Sequence, residues 1–117
     1  MPRNEPLELG RELVAASAVP LVLSILAEGE SYGYAILKRV EQLSKGELSW
    51  SEGMLYPVLH RLEREGLIAA RWSESEAGRK RKYYRLLPAG RKRLQQERRG
   101  WTAVNSALGL LWGSARG

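Results

Sequence analysis

Apolar residues recur at helical spacing along much of the chain, and most clearly from Ser49 to Ile68, SWSEGMLYPVLHRLEREGLI. Leu55, Val58, Leu59 and Leu62 stand at i, i+3, i+4 and i+7, the stripe that a helix lays on a core. The opposite face carries Gly53, Tyr56, Pro57, His60, Arg61 and Arg64, a mixture of flat, hydrogen-bonding and cationic groups suited to contact. Ser49 or Ser51 can cap the start, and Gly66 stands where a left-handed residue ends a helix. The pattern predicts about four turns of amphipathic helix feeding a strand that opens at Leu67 and Ile68.

Upstream, residues 1–16 form a polar, proline-containing lead-in, read as an arm or a short helix docked on a partner. SAVPLVLSILAEG, residues 17–29, predicts a buried helix ended by Gly29. Pro20 is tolerable in its first turn, where a missing N–H loses no partner, so the helix is expected to start near Ala18 or to kink there. Ser31 can cap a second helix, SYGYAILKRVEQLS, with Tyr32, Ile36, Val40 and Leu43 inward and Lys38, Arg39 and Gln42 outward. Gly46 closes it, and the GELSW link has room for one or two residues of strand around Leu48. Three helices with short links, the third facing out, make a helix-turn-helix core.

Downstream, LIAARW (67–72) and RKYYRLL (81–87) read as two strands joined by a loop that turns at Gly78. Tyr84 and Leu86 share one face, Tyr83 and Arg85 the other. A two-stranded ribbon after the outward helix is a wing. From Pro88 to about Gly113 a seven-residue repeat sets Leu94, Trp101 and Leu108 at one position and Val104 and Leu111 at another, interrupted by Glu97. With no partner for this stripe foreseen within the chain, it is expected to pack on another copy through Leu94, Trp101, Val104, Leu108, Leu111 and Trp112. Gly100 and Gly109 cost that helix roughly 1 kcal/mol each relative to alanine, and suit close contact or a bend. The predicted fold is mainly α with a small β-hairpin: an arm or short helix (1–16), a winged helix-turn-helix (17–87) and a long C-terminal dimerisation helix (88–117).

Charge sharpens this picture. The net charge is +6, yet residues 60–100 hold thirteen of the nineteen Lys and Arg against five Glu, a local excess of +8. Such concentration befits a surface that meets a polyanion, although it also befits a merely solvated basic face. All thirteen acids are Glu, with one His and no Cys. That leaves little material for catalysis, a thiolate metal site or a disulfide, so neither an enzyme nor a cofactor is expected. Pro20 and several glycines interrupt the neighbourhood of the only apolar run, which argues against a secretion signal or membrane span; the expectation is a cytoplasmic protein.

SYGYAIL in the second helix, GMLYPVLHRLEREGLI across the third helix and first strand, and GRKRKYYRLLPAGRKRL across the wing and last helix closely resemble the PadR family of transcriptional regulators. The resemblance covers roughly Val19 to Leu94, with the three blocks in the family's order and spacing. Its single C-terminal helix resembles the smaller subgroup, in which that helix and the N-terminal segment form the dimer. The resemblance implies a winged helix-turn-helix homodimer that represses transcription from duplex DNA and releases it when a small molecule binds. In the short subgroup it also implies a flat cavity for an aromatic effector at the dimer centre; Trp101, with Val104 and Leu108 beside it, is the candidate lining. The chain departs from the family at Leu87 and Pro88, where a threonine and an acidic residue are common. Proline at the first helical position partly replaces the lost hydroxyl cap.

Within that frame, the candidates for DNA contact are Ser31, Tyr32, Lys38, Arg39, Ser51, Glu52, Gly53, Tyr56, Pro57, His60, Arg61, Arg79, Lys80, Arg81 and Lys82. Pro57 loosens the first turn of the third helix so that Ser51, Glu52, Gly53 and Tyr56 can approach the major groove. Alternatively, Tyr56 half-packs on the wing and Pro57 only shapes the turn. His60 and Arg61 lie a turn further on, nearer backbone than base edges. Arg79 to Lys82, at the wing, suit phosphates or the minor groove, although such a run is a solvated loop in many proteins. Trp101 and Trp112 at heptad positions are packing residues if no cavity exists, and Trp50 and Trp72 are assigned to the core or its rim. Two rival readings stand beside a DNA-binding regulator. One is a winged-helix protein-interaction module, which would tolerate Tyr56→Ala; the other is a basic RNA-binding protein, which would need exposed strand aromatics such as Tyr83.

Overall fold

The stripes of the first three helices close on one another around a core that the wing completes. The computed structural model describes residues 10–74 and 76–113. The elements run α1 (Arg11–Glu28), β1 (Ser31–Tyr32), α2 (Gly33–Leu43), α3 (Glu52–Arg64), β2 (Ile68–Glu74), β3 (Lys80–Leu86) and α4 (Pro88–Trp112). Val19, Val22, Leu23 and Leu26 of α1 meet Ile36 and Val40 of α2, Leu55, Leu59 and Leu62 of α3, and Ile68, Tyr84 and Leu86 of the sheet. Each fully buried aliphatic side chain contributes about 1.5–3 kcal/mol, so this cluster holds the three helices and the sheet together.

Helix α1 begins at Arg11, seven residues before the expected start at Ala18, and Pro20 lies well inside it. The run RELVAAS is rich in good helix formers and carries the helix through the proline, while Ser17 Oγ donates back to the Leu13 carbonyl at 2.8 Å. Residues 11–16 are therefore helical, the second of the two expected forms, but as the first turns of α1 and not as a separate short helix; the expectation for residues 1–9 lies outside the described residues. Ser31 does not cap α2. It pairs in β1 with Tyr84, and Tyr32 pairs with Tyr83, which makes the wing the larger part of an antiparallel three-stranded sheet of order β1-β3-β2. The cap position of α2 is Tyr32, with no side-chain hydrogen bond, and Leu43 is 49% exposed rather than inward. The link around Leu48 forms no strand.

Helix α3 follows the sequence pattern. Ser51 Oγ accepts the Met54 N–H at 3.2 Å, and Gly66, at φ +76°, lets Leu67 N–H turn back to the Leu62 carbonyl at 2.9 Å. Strands β2 and β3 pair from Ile68↔Leu86 to Glu74↔Lys80, so Lys80 lies in the ladder rather than the loop. The start of α4 is locked on β2: Leu87 N–H donates to the Leu67 carbonyl at 3.0 Å, and a Cβ on Gly90 would overlap that same oxygen. Leu94 then enters the chain's own core against expectation, because α4 packs along α1. Beyond Leu94 no described residue of α4 is buried, and Leu110, Leu111 and Trp112 are exposed.

Candidate nucleic-acid interface

One wall of the candidate interface is the first half of α3. With the helix opening at Glu52, Tyr56 and His60 fall one turn apart on the outer face, their ring centroids 6.4 Å apart. Pro57 removes the N–H that the Gly53 carbonyl would accept, yet the helix runs unbroken from Glu52 to Arg64. Tyr56 is half-buried, and its hydroxyl lies against the first residue of α2. A Cβ on Gly33 would overlap Tyr56 Oη and lie 2.8 Å from Cζ. Gly33 is thus the floor on which Tyr56 rests.

The wing supplies the other wall. Strand alternation puts Trp72, opposite Lys82, on the face of the sheet that Tyr84 buries. Lys82 Nζ lies 5.9 Å from the Trp72 ring centroid, 5.6 Å from that of Tyr84 and 3.9 Å from the Glu63 carboxylate. On the opposite face Arg81 stacks 4.1 Å over the Tyr32 ring, which meets Tyr83 edge-on at 5.4 Å. Tyr84 Oη is buried with no hydrogen-bond partner among the described residues. Burial, helped by nearby Glu63 and Tyr56, pushes its pKa up to about 12.

Between these walls lies an open cleft of about 610 Å³, bordered by Tyr32, Gly33, Tyr34, Glu52, Tyr56, His60, Trp72, Tyr84 and Arg79 to Lys82. Of the residues singled out in the sequence, the cleft brings together Tyr32, Glu52, Tyr56, His60, Arg79, Lys80, Arg81 and Lys82. It leaves out the others. Ser31 is in the sheet, Ser51 caps α3, and Arg61 leans on Glu65 at 3.8 Å; Gly53 and Pro57 shape the helix without lining the cleft. Lys38 sits 3.7 Å from Glu41 and 5.9 Å from the Tyr34 ring centroid. Arg39 grips Glu28 through two hydrogen bonds of 2.9 and 2.7 Å, which hold the Glu28 carboxyl below its ordinary range. It ties α2 to α1. Trp72, assigned to core or rim from sequence, is 65% exposed and lines the cleft. Its alternation with Ile68 and Ala70 was the signal that could have placed it there. Trp50 does pack against the core.

The last helix presents Trp101 half-buried, its indole N–H donating to Glu97 at 3.2 Å, with Arg93 Nε donating to the same carboxylate at 3.1 Å. Glu97, which interrupts the heptad, is what orients the indole. On one side of the ring a hollow of about 410 Å³ opens between α1 and α4, with Pro20, Leu21 and Ser24 on its α1 wall. A second hollow of about 360 Å³, also bordered by Trp101, is lined by Arg93, Gln96, Glu97, Gly100 and Val104. Leu108 borders neither.

The pattern of the Transcriptional regulator PadR-like family matches residues 22–96, the region that carries the cleft and the start of α4. This chain belongs to that family. Its relatives include the transcriptional regulator Rv3488 of Mycobacterium tuberculosis, 37% identical over 89 residues, 76% of this chain and 79% of that protein. The transcriptional regulator YqjI of Escherichia coli is 38% identical over 60 residues, 51% of this chain but only 28% of that longer protein. Among solved structures, the PadR-like transcriptional regulator of Bacillus cereus superposes with a TM-score of 0.76 at 28% identity, covering 86% of this chain and 96% of that one. PadR-like membership makes the chain a transcriptional regulator with a winged-helix fold, not an enzyme. The departure at Leu87 and Pro88 is resolved simply: Leu87 gives no side-chain cap, and Pro88 is the first residue of α4. Among the described residues no helix is long and apolar enough to cross a membrane.

Proposed function

We propose that this PadR-like regulator is a cytoplasmic homodimer that binds a pseudo-palindromic duplex operator, represses transcription from it and is released by a small aromatic effector. The cleft carries the reading: it sets Tyr56 and His60 of α3 opposite Arg79, Lys80, Arg81 and Lys82 of the wing. Aromatic and hydrogen-bonding groups on the helix suit base edges, while the wing cations suit phosphates. The dimer is supported by α4, whose last two turns expose Leu110, Leu111 and Trp112. In this reading residues 17–87 are the DNA-binding unit and residues 88–117 the dimerisation helix. A second copy would cover the stripe of Trp101, Val104, Leu108, Leu111 and Trp112. Trp101, which borders both hollows, is the residue against which an aromatic effector would stack. Changing the packing of α4 would change the spacing of the two α3 helices and so the fit to half-sites about one helical turn apart.

Fluorescence anisotropy tests this with duplex selected by the protein from a random pool and a scrambled duplex of equal length, at two salt concentrations. The expected result is binding at least ~1000-fold tighter to the selected duplex. Equal, weak binding that collapses in salt would reduce the protein to a basic surface, and failure to bind either would favour a protein-interaction module.

A further inference from the structure

Strand β1 is two residues long and hangs on the edge of β3, too short a ladder to fix the wing by itself. A side-chain bracket reinforces it. Glu30, in the turn between α1 and β1, reaches across β3 to Arg71 on β2, the far strand of the sheet. Arg71 Nη2 and Nε donate to its two oxygens at 2.6 and 2.7 Å. Beneath the bracket Arg71 lies 5.1 Å from the Tyr83 ring centroid, Tyr83 meets Tyr32 edge-on, and Arg81 covers the other part of Tyr32. The chain of contact therefore runs Glu30, Arg71, Tyr83, Tyr32, Arg81, and its last two members line the cleft. The Arg71 hydrogen bonds also hold the Glu30 carboxyl below its ordinary range, so the bracket is charged near neutral pH.

We infer that Glu30 is a positioning residue for DNA binding: by gripping Arg71 over β3 it sets the angle of the wing against α1 and α2, and so places Arg81 and Tyr32 on the cleft. The inference rests on the DNA-binding reading above. It makes a prediction opposite to that of charge alone. A carboxylate near a polyanion-binding face repels phosphate, so its removal should tighten binding to any duplex. If Glu30 positions the wing, its removal weakens binding to the selected duplex.

Three proteins decide the matter: wild type, Glu30→Gln, and the charge-swapped pair Glu30→Arg with Arg71→Glu, which keeps the net charge. Each is titrated by anisotropy against the selected and scrambled duplexes at two salt concentrations, after thermal unfolding has established that it is folded. Glu30→Gln is expected to lose on the order of tenfold in affinity for the selected duplex. Its affinity for scrambled duplex should hold or rise, and the swapped pair should recover at least half of the lost factor. Glu30→Gln binding both duplexes equally well or better than wild type overturns the inference, as does a swapped pair that recovers nothing. Should Glu30→Gln fail to fold, hydrogen exchange of the β2 and β3 amides in folded Arg71→Lys, which keeps the charge but not the two-pronged grip, takes its place. Protection there equal to wild type overturns the inference. If wild type itself does not discriminate between the duplexes, the DNA-binding reading falls and takes this inference with it.

Discussion

Gly33→Ala offers a test of how Tyr56 is held. Gly33 is the first residue of α2 and is not among the residues with positive φ, so alanine suits the backbone and by propensity alone would gain up to ~1 kcal/mol. The new methyl, however, would overlap Tyr56 Oη and stand 2.8 Å from Cζ and 3.3 Å from Cε1. The ring must swing outward by about an ångström into the cleft, and overpacking of this kind costs about 1–3 kcal/mol. The two terms leave a net loss of ~0–3 kcal/mol, a fall in Tm of no more than about 15 °C. The effect on DNA should be larger than the effect on folding if, as proposed, the displaced ring is the one that faces the duplex. A contact to a base edge is worth about 1–3 kcal/mol, so affinity for the selected duplex should drop roughly 5- to 150-fold. Thermal unfolding and anisotropy on the same preparation measure both. Adding Tyr56→Phe removes the overlapping oxygen, and the double variant should regain stability relative to Gly33→Ala alone, a coupling that a double-mutant cycle isolates. Unchanged Tm and unchanged affinity in Gly33→Ala would refute the account of Tyr56, as would strict additivity in the cycle.

Gly90→Ala sets a methyl against backbone, overlapping the Leu67 carbonyl oxygen and 2.7 Å from Leu86 Cδ1. It should cost about 2–3 kcal/mol in urea unfolding, the upper end of the range for Gly33→Ala, because a carbonyl fixed by the Leu87 N–H cannot rotate away. Tyr84→Phe removes a buried hydroxyl with no hydrogen-bond partner among the described residues, so stability near pH 7 should hold or rise. The folded tyrosine keeps its proton to about pH 12 while the unfolded one loses it near 10. Stability of the wild type therefore declines through that window by at most ~1.4 kcal/mol per pH unit, and alkaline unfolding of Tyr84→Phe should lack this component. Leu111→Glu puts a charge on the exposed end of α4 and should shift sedimentation from dimer to monomer at micromolar concentration; an unchanged dimer would place the interface elsewhere.

What was legible in the sequence was what neighbours along the chain decide. The α3 stripe, its Ser51 cap and the stop at Gly66 depend on residues within four positions, and so do the Pro88 start and Gly113 end of α4. The wing hairpin was legible for the same reason, since alternation sorts Tyr84 from Tyr83. The misreadings share the opposite cause. Two residues of β1 have no period of their own, and only pairing with β3, some fifty positions later, makes them a strand. Pro20 reads as a helix start only if the stretch before it is taken as an arm. With RELVAAS ahead of it and α4 alongside, the helix carries the loss of one hydrogen bond in its interior. Leu94 is half of a heptad pair on paper, but α1 reaches it before a second copy can. The same argument explains why Gly33 and Glu30 gave no signal. A glycine before a tyrosine and a glutamate after a glycine are ordinary, and each acquires its role from a side chain far along the chain, Tyr56 in one case and Arg71 in the other. In the cleft, the aromatic and cationic side chains are therefore local and readable, whereas the contacts that hold them in place are long-range, and it is substitution at those holding residues that separates the two contributions.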